Sequence, residues 1–343
     1  MIKDFWILLS ISLLLVLSVF ILKSVDAGIF PLYFVYIVVS IAAFWFFSGV
    51  GYEILSIFSS HFYVASIFLL LLTLIIGRVT SGVIRWIPLG PFTLQPAEIV
   101  RPFLIMFFAS YLGRGELKLN KFIKILILLI IPAFLILVQP SLGVSVLTVV
   151  GFFGVLLAGS FNKKYILIGL ALVFMVLPVF WFTMAPYQKA RLESFLNPSK
   201  DPLGAGYNSL QSAIAVGSGG FFGKGLGRGV QTQLSFLPEK QTDFIFAAVG
   251  EEMGVLGIFL VLAATFVILF RLTFYMESAT SPSARAYISG FLVTYLAQVF
   301  IHAGMNMGMM PVTGLPYPLV SAGGSSLLAT MIGLGIAVGA YRR

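Results

Sequence analysis

The stretch FIFAAVGEEMGVLGIFLVLAATFVILF, residues 244–270, decides the class of fold to which this chain belongs. It contains no charged residue except Glu251 and Glu252. A helix that crosses the hydrocarbon core of a bilayer needs about 20 mainly apolar residues, so this stretch predicts a transmembrane helix. Because ionisable groups within a span are costly, we expect the two glutamates either to pair with a cation from another helix or to relay protons.

Similar apolar runs recur along the chain and predict its architecture. They lie near residues 5–22, 29–48, 62–76, 97–112, 122–138, 142–160, 165–183, 286–308 and 323–340. Charged residues make up only 10% of the sequence, whereas about a quarter of a soluble globular protein is charged. We therefore predict an all-α, polytopic integral membrane protein with about ten transmembrane helices. Residues 1–343 are expected to form a single integral membrane domain.

A polar, glycine-rich loop interrupts the apolar pattern between residues 184 and 243. Loops of this length between two spans are uncommon and are usually functional or disordered. Lysine and arginine concentrate in cytoplasmic loops and termini. With a cytoplasmic N-terminus, that side holds Lys3, Arg114, Lys118, Lys121, Lys124, Lys163, Lys164, Arg271, Arg285, Arg342 and Arg343. Both termini are therefore predicted to be cytoplasmic, and the long loop is predicted to be extracytoplasmic.

The composition also excludes several classes of site. The chain has no cysteine, so disulfides, cysteine nucleophiles and thiolate metal sites are excluded. Its two histidines, His61 and His302, are far apart and show no ligand spacing, so no zinc site is expected. The net charge of +9 is assigned to cations that flank helix ends and meet anionic headgroups, rather than to nucleic-acid binding. A site on the outer face, where nucleotides are scarce, disfavours an ATP-driven pump.

Asp243 is the candidate catalytic residue, because it ends the polar loop at the start of an apolar helix. Thr242 is a plausible N-cap, and a helix N-terminus favours an anion. A partly desolvated carboxylate at this place can accept a proton from an alcohol that attacks an electrophile. The alternative is that Asp243 only neutralises the helix dipole.

Glu98 and Arg101 are spaced i, i+3 and predict an ion pair on one face of the helix near 97–112. Arg101 lies inside an apolar run, so it is expected to face protein, either as a structural cation or as a ligand for an anionic headgroup. Arg85 in the preceding loop can hold a phosphate.

The segment GSGGFFGKGLGRG, residues 217–229, brings many glycines together with Lys224 and Arg228. It is not a P-loop, because no Gly-Lys-Ser/Thr ends the required spacing. Exposed backbone N–H groups beside Lys224 can still bind an anion, and the alternative is a flexible turn without a ligand. The small residues from Ser321 to Ser326 open the last helix in a similar way, although such residues more often indicate close helix packing.

Taken together, these segments resemble the SEDS family of membrane proteins, which includes RodA, FtsW and SpoVE. Six motifs occur in the family's order over nearly the whole chain. They are RWI at 85–87 with QPAE at 95–98, QPSLG at 139–143, DPLGAGY at 201–207 with QS at 211–212, the glycine-rich segment 217–227, the segment 238–247, and the segment 316–326.

The resemblance implies an activity and a set of residues. Family members are glycosyltransferases of the bacterial cytoplasmic membrane that polymerise lipid II into peptidoglycan strands, together with a class B penicillin-binding protein. Asp243 matches the family's essential loop aspartate. Glu98 and Arg101 match an acidic–basic pair in which the family usually has lysine. Ser141 stands where the family commonly has aspartate, which puts in doubt any role of that position in catalysis or cation binding.

The resulting hypothesis is an inverting glycosyl transfer from lipid II, with Asp243 as general base and undecaprenyl diphosphate as the leaving group. The residues expected to bind substrate are Arg85, Glu98, Arg101, Arg191, Gln211, Lys224, Lys240 and Ser321. No cofactor or metal site is assigned, although a divalent cation is compatible with the reaction. The expected partners are lipid II, a class B penicillin-binding protein and membrane lipid. Two alternatives stay open: a flippase for lipid-linked precursor, and a non-catalytic scaffold for the penicillin-binding protein.

Overall fold

The computed structural model describes most of the chain. The described residues are 4–80, 83–90, 92–113, 118–158, 164–165, 167–169, 171, 182, 184, 186–196 and 206–341. The predicted run near 165–183 therefore lies largely outside the described residues, and so do residues 197–205 of the loop at 184–243.

The described chain is mainly helical, as the apolar runs predict. The helices are α1 (Phe5–Val25), α2 (Leu32–Gly49), α3 (Tyr52–Ile57), α4 (Ser59–Ile76), α5 (Pro96–Gly113), α6 (Leu119–Val138), α7 (Leu142–Ala158), α8 (Pro186–Leu196), α9 (Tyr207–Ser218), α10 (Val230–Gln233), α11 (Ile245–Ser278), α12 (Pro282–Asn306) and α13 (Gly324–Tyr341). A short 3₁₀ helix, Ala27–Ile29, follows α1.

Seven of the described helices are long and apolar enough to cross a membrane: α1, α2, α4, α6, α11, α12 and α13. The helices α5 and α7 are shorter or more polar and pack between them, α7 against α12 and α5 against α4 and α12. The prediction of a polytopic helical protein is confirmed, whereas the count of ten helices is not.

A small antiparallel sheet follows α4, in a polar segment where no strand was predicted. Its strands are β1 (Arg78–Thr80), β2 (Val83–Leu89) and β3 (Phe92–Leu94), in the order β1-β2-β3. Ile87 pairs with Leu94 and Leu89 with Phe92 across the turn at Gly90, whose φ of 66° suits glycine. The sheet carries Arg85 and leads directly into α5.

The bundle has two distinct ends. At one end, the Asp4 carboxylate accepts hydrogen bonds from Arg271 Nε at 2.7 Å and from Tyr275 at 2.5 Å, which joins the start of α1 to α11. We call this the Asp4 end. The segments that follow α4, α6 and α12 line one cavity at the opposite end. The start of α11 lies there too, because Asn306 at the end of α12 bonds the Asp243 carbonyl. We call this the Asp243 end.

Candidate functional site

Asp243 lies at the tip of the bundle, two residues before α11 begins. The helix is capped by Phe244 without a side-chain hydrogen bond, so the prediction that Thr242 is the N-cap is wrong. The hydroxyl of Thr242 instead bonds the Glu239 carboxylate at 3.0 Å within the preceding turn. This turn places Glu239 close enough to influence Asp243.

Three contacts from other elements fix the backbone around Asp243. The side-chain amide of Asn306, the last residue of α12, donates to the Asp243 carbonyl oxygen at 3.0 Å. Ser321 Oγ donates to the Thr242 carbonyl oxygen at 2.8 Å. The amide of Ala322 donates to the Gln241 carbonyl oxygen at 2.9 Å. The predicted site residue Ser321 thus holds the chain that carries Asp243.

The Asp243 carboxylate shares its surroundings with Arg191 of α8. Both groups flank Gly314: a methyl group on Gly314 would lie 3.6 Å from Asp243 Oδ2 and 3.8 Å from Arg191 Nη1. Arg191 is held in turn by a 3.3 Å hydrogen bond from Nη1 to the Val312 carbonyl oxygen. Gly314 has a φ of 71°, which a side chain would strain, so glycine keeps both the turn and the space between the two charges.

Burial raises the pKa of Asp243 from its ordinary value to about 6, although the positive charge of Arg191 opposes this rise. The negative charge of Glu239 raises the pKa further, and Arg85 lowers it. A general base works best when its pKa lies near the operating pH. Asp243 is therefore ionised at neutral pH and is also a far better proton acceptor than an ordinary aspartate.

A cavity of about 420 Å³ lies next to this carboxylate, and Asp243 adjoins its wall residues Gly314 and Arg191 without being part of the wall. Its wall combines two cations with apolar and small residues: Arg85, Pro140, Ser141, Leu142, Gly143, Val144, Met184, Gln188, Arg191, Leu192, Pro311, Val312, Thr313, Gly314 and Leu315. The predicted residues Arg85 and Arg191 thus line one cavity, although they are far apart in sequence. Such a wall suits an anion that is attached to an apolar chain.

Ser141 also lines this cavity, and its hydroxyl accepts a 3.3 Å hydrogen bond from the Gln95 side chain. The position where the family commonly has an aspartate is therefore part of the cavity wall in this chain.

A row of polar side chains on α12 connects the site to the bundle interior. We call Gln298, His302 and Asn306, which are spaced four residues apart, the α12 polar row. The amide of Gln298 donates to the Pro316 carbonyl oxygen at 2.8 Å. His302 Nδ1 lies 2.6 Å from the Leu315 carbonyl oxygen. Since Asn306 holds Asp243, one helix face positions both Asp243 and the segment that forms the cavity wall.

The predicted Glu98–Arg101 pair forms and contacts Gln298 of the α12 polar row. The two side chains are buried, and Arg101 Nη2 lies 3.2 Å from Glu98 Oε2. The same nitrogen donates to Gln298 Oε1 at 2.9 Å. The pair is therefore connected to Pro316 through Gln298, and it is not part of the cavity wall.

The remaining predicted residues lie elsewhere at the Asp243 end. Lys224 Nζ pairs with Glu251 Oε1 at 2.9 Å, so this glutamate has a cation partner, although the cation comes from the glycine-rich segment and not from another helix as expected. The Lys240 ammonium donates to the Thr232 carbonyl oxygen. Gln211 is half-buried on α9 and does not line the cavity. The structure thus brings Asp243, Arg85 and Arg191 together, with Ser321 as a backbone anchor.

Four residues of the site were not found by sequence reasoning: Gln298, His302, Asn306 and Gly314. For Gln298, His302 and Asn306, the available signal was the four-residue spacing of polar side chains inside the apolar run 286–308. No group of three or more acidic or histidine side chains that could hold a metal occurs among the described residues.

The family model for FtsW, RodA and SpoVE, described as "Cell cycle protein", matches residues 1–342. The chain belongs to this family. Among curated members, it is 38% identical over 279 residues to the peptidoglycan glycosyltransferase MrdB of Escherichia coli K12, covering 80% of this chain and 75% of that protein. It is 36% identical over 348 residues to the probable peptidoglycan glycosyltransferase FtsW of Aeromonas salmonicida, covering 96% and 86%.

Solved structures of the family share the fold. The RodA protein of Thermus thermophilus superposes with a TM-score of 0.73 at 26% identity, covering 98% of this chain and 96% of that one. A chain from a peptidoglycan synthase complex, described as coordinating polymerization and crosslinking, superposes with a TM-score of 0.84 at 28% identity, covering 98% and 97%. This member of the family is thus a multi-pass membrane protein with the RodA fold.

Proposed function

We propose that this chain is a peptidoglycan glycosyltransferase that polymerises lipid II, with Asp243 as its general base. The observation that carries the proposal is the Asp243 carboxylate next to Gly314 and Arg191 in the wall of a cationic cavity, with burial raising its pKa to about 6. A carboxylate that only neutralised a helix dipole would gain nothing from such desolvation. A base that removes a proton from a sugar hydroxyl gains basicity from it.

The proposed step balances in atoms and charge. The 4-hydroxyl oxygen of the acceptor's terminal GlcNAc attacks the anomeric carbon of the donor lipid II, and the hydroxyl proton moves to Asp243. The bond from the anomeric carbon to the phosphate oxygen breaks, and undecaprenyl diphosphate leaves with the electron pair. The reaction needs no protein nucleophile, so the anomeric configuration inverts.

Charge develops on the leaving diphosphate, and two cations of the cavity are placed to stabilise it. Arg85 and Arg191 line the cavity together, and guanidinium groups bind phosphate oxygens in a bidentate manner. Preformed charge of this kind lowers the barrier because it needs little reorganisation during the reaction. Arg101 and Lys224 are paired with Glu98 and Glu251, so we assign them to the scaffold rather than to the diphosphate.

The sidedness and the partner belong to the same proposal. The positive charges of the short loops support cytoplasmic termini and an Asp243 end that faces out of the cell. Lipid II is consumed on that face. The similarity to a chain of a peptidoglycan synthase complex supports assembly with a class B penicillin-binding protein, which would crosslink the new strands.

The test supplies purified protein in liposomes with lipid II and a class B penicillin-binding protein whose transpeptidase is inactive. We expect glycan polymer and one released undecaprenyl diphosphate for each new glycosidic bond. If lipid II crosses the bilayer while neither product forms, the chain is a transporter. If polymer forms when the inactive partner is combined with the wild-type chain, but not when it is combined with a chain that lacks Asp243, the scaffold alternative fails.

A further inference from the structure

The helix α11 is broken where the glycine-rich segment approaches it. Gly254 has φ 67° and ψ −161°, so the helical path stops for one residue. In an unbroken helix, the amides of Val255 and Leu256 would donate to the carbonyl oxygens of Glu251 and Glu252, four residues earlier. The break leaves two donors and two acceptors without these partners.

Residues 220–225, which we call the inserted turn, satisfy all four groups. Val255 N donates to Gly220 O at 3.0 Å, and Leu256 N donates to Phe221 O at 3.1 Å. In the other direction, Lys224 N donates to Glu251 O at 2.9 Å, and Gly225 N donates to Glu252 O at 3.0 Å. The inserted turn therefore takes the place of two helical hydrogen bonds between residues 251–252 and 255–256. Its four hydrogen bonds fix its position along α11.

Glycine is required where the turn meets the helix. A methyl group on Gly223 would lie 2.2 Å from the Glu252 carbonyl oxygen, and one on Gly219 would lie 1.9 Å from the Gly250 carbonyl oxygen. The many glycines of the segment thus allow two backbones to approach closely. This explains the composition without a bound anion.

The two buried carboxylates beside the break hold the rest of the segment. Glu251 accepts from Lys224 Nζ, from Gln231 N and from Thr232 N, each at 2.9 Å. Glu252 accepts from Gln233 Nε2 at 2.8 Å and from the Ser24 hydroxyl at the end of α1. Because each carboxylate has several donors, the segment is tied to α11 and α1 at one height.

That height can be read from the helices α1 and α11. Asp4 meets Arg271 at one end, and Ser24 meets Glu252 at the other. Ser24 follows Asp4 by 20 residues, which at helical rise corresponds to about 30 Å. The hydrocarbon core of a bilayer is also about 30 Å thick. The separation of the polar contacts Asp4–Arg271 and Ser24–Glu252 matches this thickness, and with the two edges of the hydrocarbon placed at these contacts, Glu252 lies at the edge on the Asp243 side.

The inserted turn carries its aromatic side chains past this edge. The Phe221 carbonyl accepts from Leu256 N, and helical N–H groups point towards the start of their helix, so this carbonyl lies between the levels of Glu252 and Leu256, on the Asp4 side of Glu252. Phe221 is 62% exposed and Phe222 is 75% exposed. Val255 and Leu256 beside them are also exposed, so the surface at this depth is apolar. The Lys224 ammonium bonds the Glu251 carboxylate at 2.9 Å, so its charge lies at the level of Glu251 rather than of Leu256.

We propose that the inserted turn is a re-entrant element that places Phe221 and Phe222 among the acyl chains of the leaflet on the Asp243 side. Non-helical backbone at membrane depth is tolerated where protein satisfies its polar groups, and the broken helix does so here. The occupant of this apolar surface is the lipid, since the surface lies on the hydrocarbon side of the Ser24–Glu252 contact.

The anchoring also sets the height of Asp243. Asp243 precedes Glu252 by nine residues, which at helical rise corresponds to about 13 Å above the hydrocarbon edge. The headgroup region extends only about 5–8 Å beyond the hydrocarbon on each side, so this height is that of the first groups beyond the headgroups. Resting on the proposed function, the turn would hold the general base at the height of a sugar that is joined to a lipid through a diphosphate.

The chain contains no cysteine, so a single nitroxide label reports one position without a background. The Phe222→Cys variant is labelled with a nitroxide in phosphatidylcholine–phosphatidylglycerol liposomes. The relaxation of the nitroxide is then measured with oxygen, which concentrates in hydrocarbon, and with a nickel chelate, which stays in water. Phe259→Cys on the exposed apolar face of α11 is the hydrocarbon control, and Glu239→Cys is the aqueous control.

We expect the label at position 222 to behave like the label at 259, with oxygen access at least several-fold above nickel access. Dominant nickel access, as expected at 239, would overturn the proposal, and so would low access to both reagents, which indicates cover by protein. The measurement needs no activity, so its failure is separate from a failure of the proposed function.

Discussion

Asn306 donates a 3.0 Å hydrogen bond to the main-chain carbonyl of Asp243, while its own side-chain oxygen accepts a 3.0 Å bond from Ala247 N in the first turn of α11. One side chain thus bridges the proposed base and the helix that follows it. We predict that Asn306→Leu lowers kcat about 10- to 100-fold, because losing a buried hydrogen bond costs about 1–3 kcal/mol. KM for lipid II should change little, since Asn306 does not line the cavity. An equal loss in kcat and rise in KM would contradict this positioning role.

The acid limb of the pH–rate profile should report Asp243. Activity is expected to rise with pH through about 6, because the base works only when it is ionised. Glu239→Gln removes a negative charge that raises the pKa of Asp243, so the limb should move to lower pH. Arg191→Gln removes a positive charge that lowers this pKa, so the limb should move to higher pH. If the pH profiles of kcat/KM shift in the same direction for both variants, Asp243 is not the titrating group.

Asp243 should also make the fold less stable at neutral pH. Its folded pKa is raised above the unfolded value, so its contribution to stability is fully present below the unfolded pKa and is lost as pH rises through about 6. Asp243→Asn is therefore predicted to raise the Tm at pH 7.5, with a smaller gain at pH 5. Thermal unfolding in detergent at both pH values measures the effect, and a gain that does not depend on pH would contradict it.

Gly314→Ala should impair catalysis beyond its backbone strain. The added methyl group would lie between Asp243 and Arg191, and the positive φ would cost about 1 kcal/mol. Gly308→Ala is a matched control, because Gly308 has nearly the same φ and its nearest neighbour is the Ala213 methyl at 3.9 Å. We expect similar losses in Tm for both variants but at least a tenfold lower kcat/KM only for Gly314→Ala. Equal activities would mean that the space beside Gly314 is not used.

The buried Glu98–Arg101 pair should be more costly to break than to remove. Glu98→Gln leaves the Arg101 charge buried with Gln298 as its polar partner, and breaking a buried pair costs about 3–5 kcal/mol. The double variant Glu98→Gln/Arg101→Met removes both charges and should recover part of the lost Tm. If the double variant is less stable than either single variant, the pair does not act as a coupled unit.

The multi-pass helical class could be predicted from the sequence because burying apolar side chains in lipid imposes long, uniform runs. The strand β2 was missed because its residues, VIRWIPL, are too few to show a period and were read as a polar loop. The position of Asp243 at a helix start was predicted to within two residues. The ion pair between Glu98 and Arg101 was also predicted. These features depend on contacts within a few residues.

Long-range features could not be predicted in the same way. The glycines of 217–229 suggested an anion site, whereas their role in filling the break at Gly254 depends on a pairing between separate segments. The convergence of Arg85 and Arg191 on Asp243 likewise needs three elements to meet, and only the family resemblance pointed to these residues as one site. No local pattern contains that information.

The most direct test of the account compares lipid II polymerisation by wild type, Asp243→Asn and Glu193→Gln in liposomes with the same inactive-transpeptidase partner. Asn is nearly isosteric with Asp but cannot accept the proton, and Glu193 is an exposed acid on α8 near the site. The account predicts glycan strands on a gel from wild type and Glu193→Gln, and none from a folded Asp243→Asn protein. Strands of normal length and rate from Asp243→Asn would contradict it.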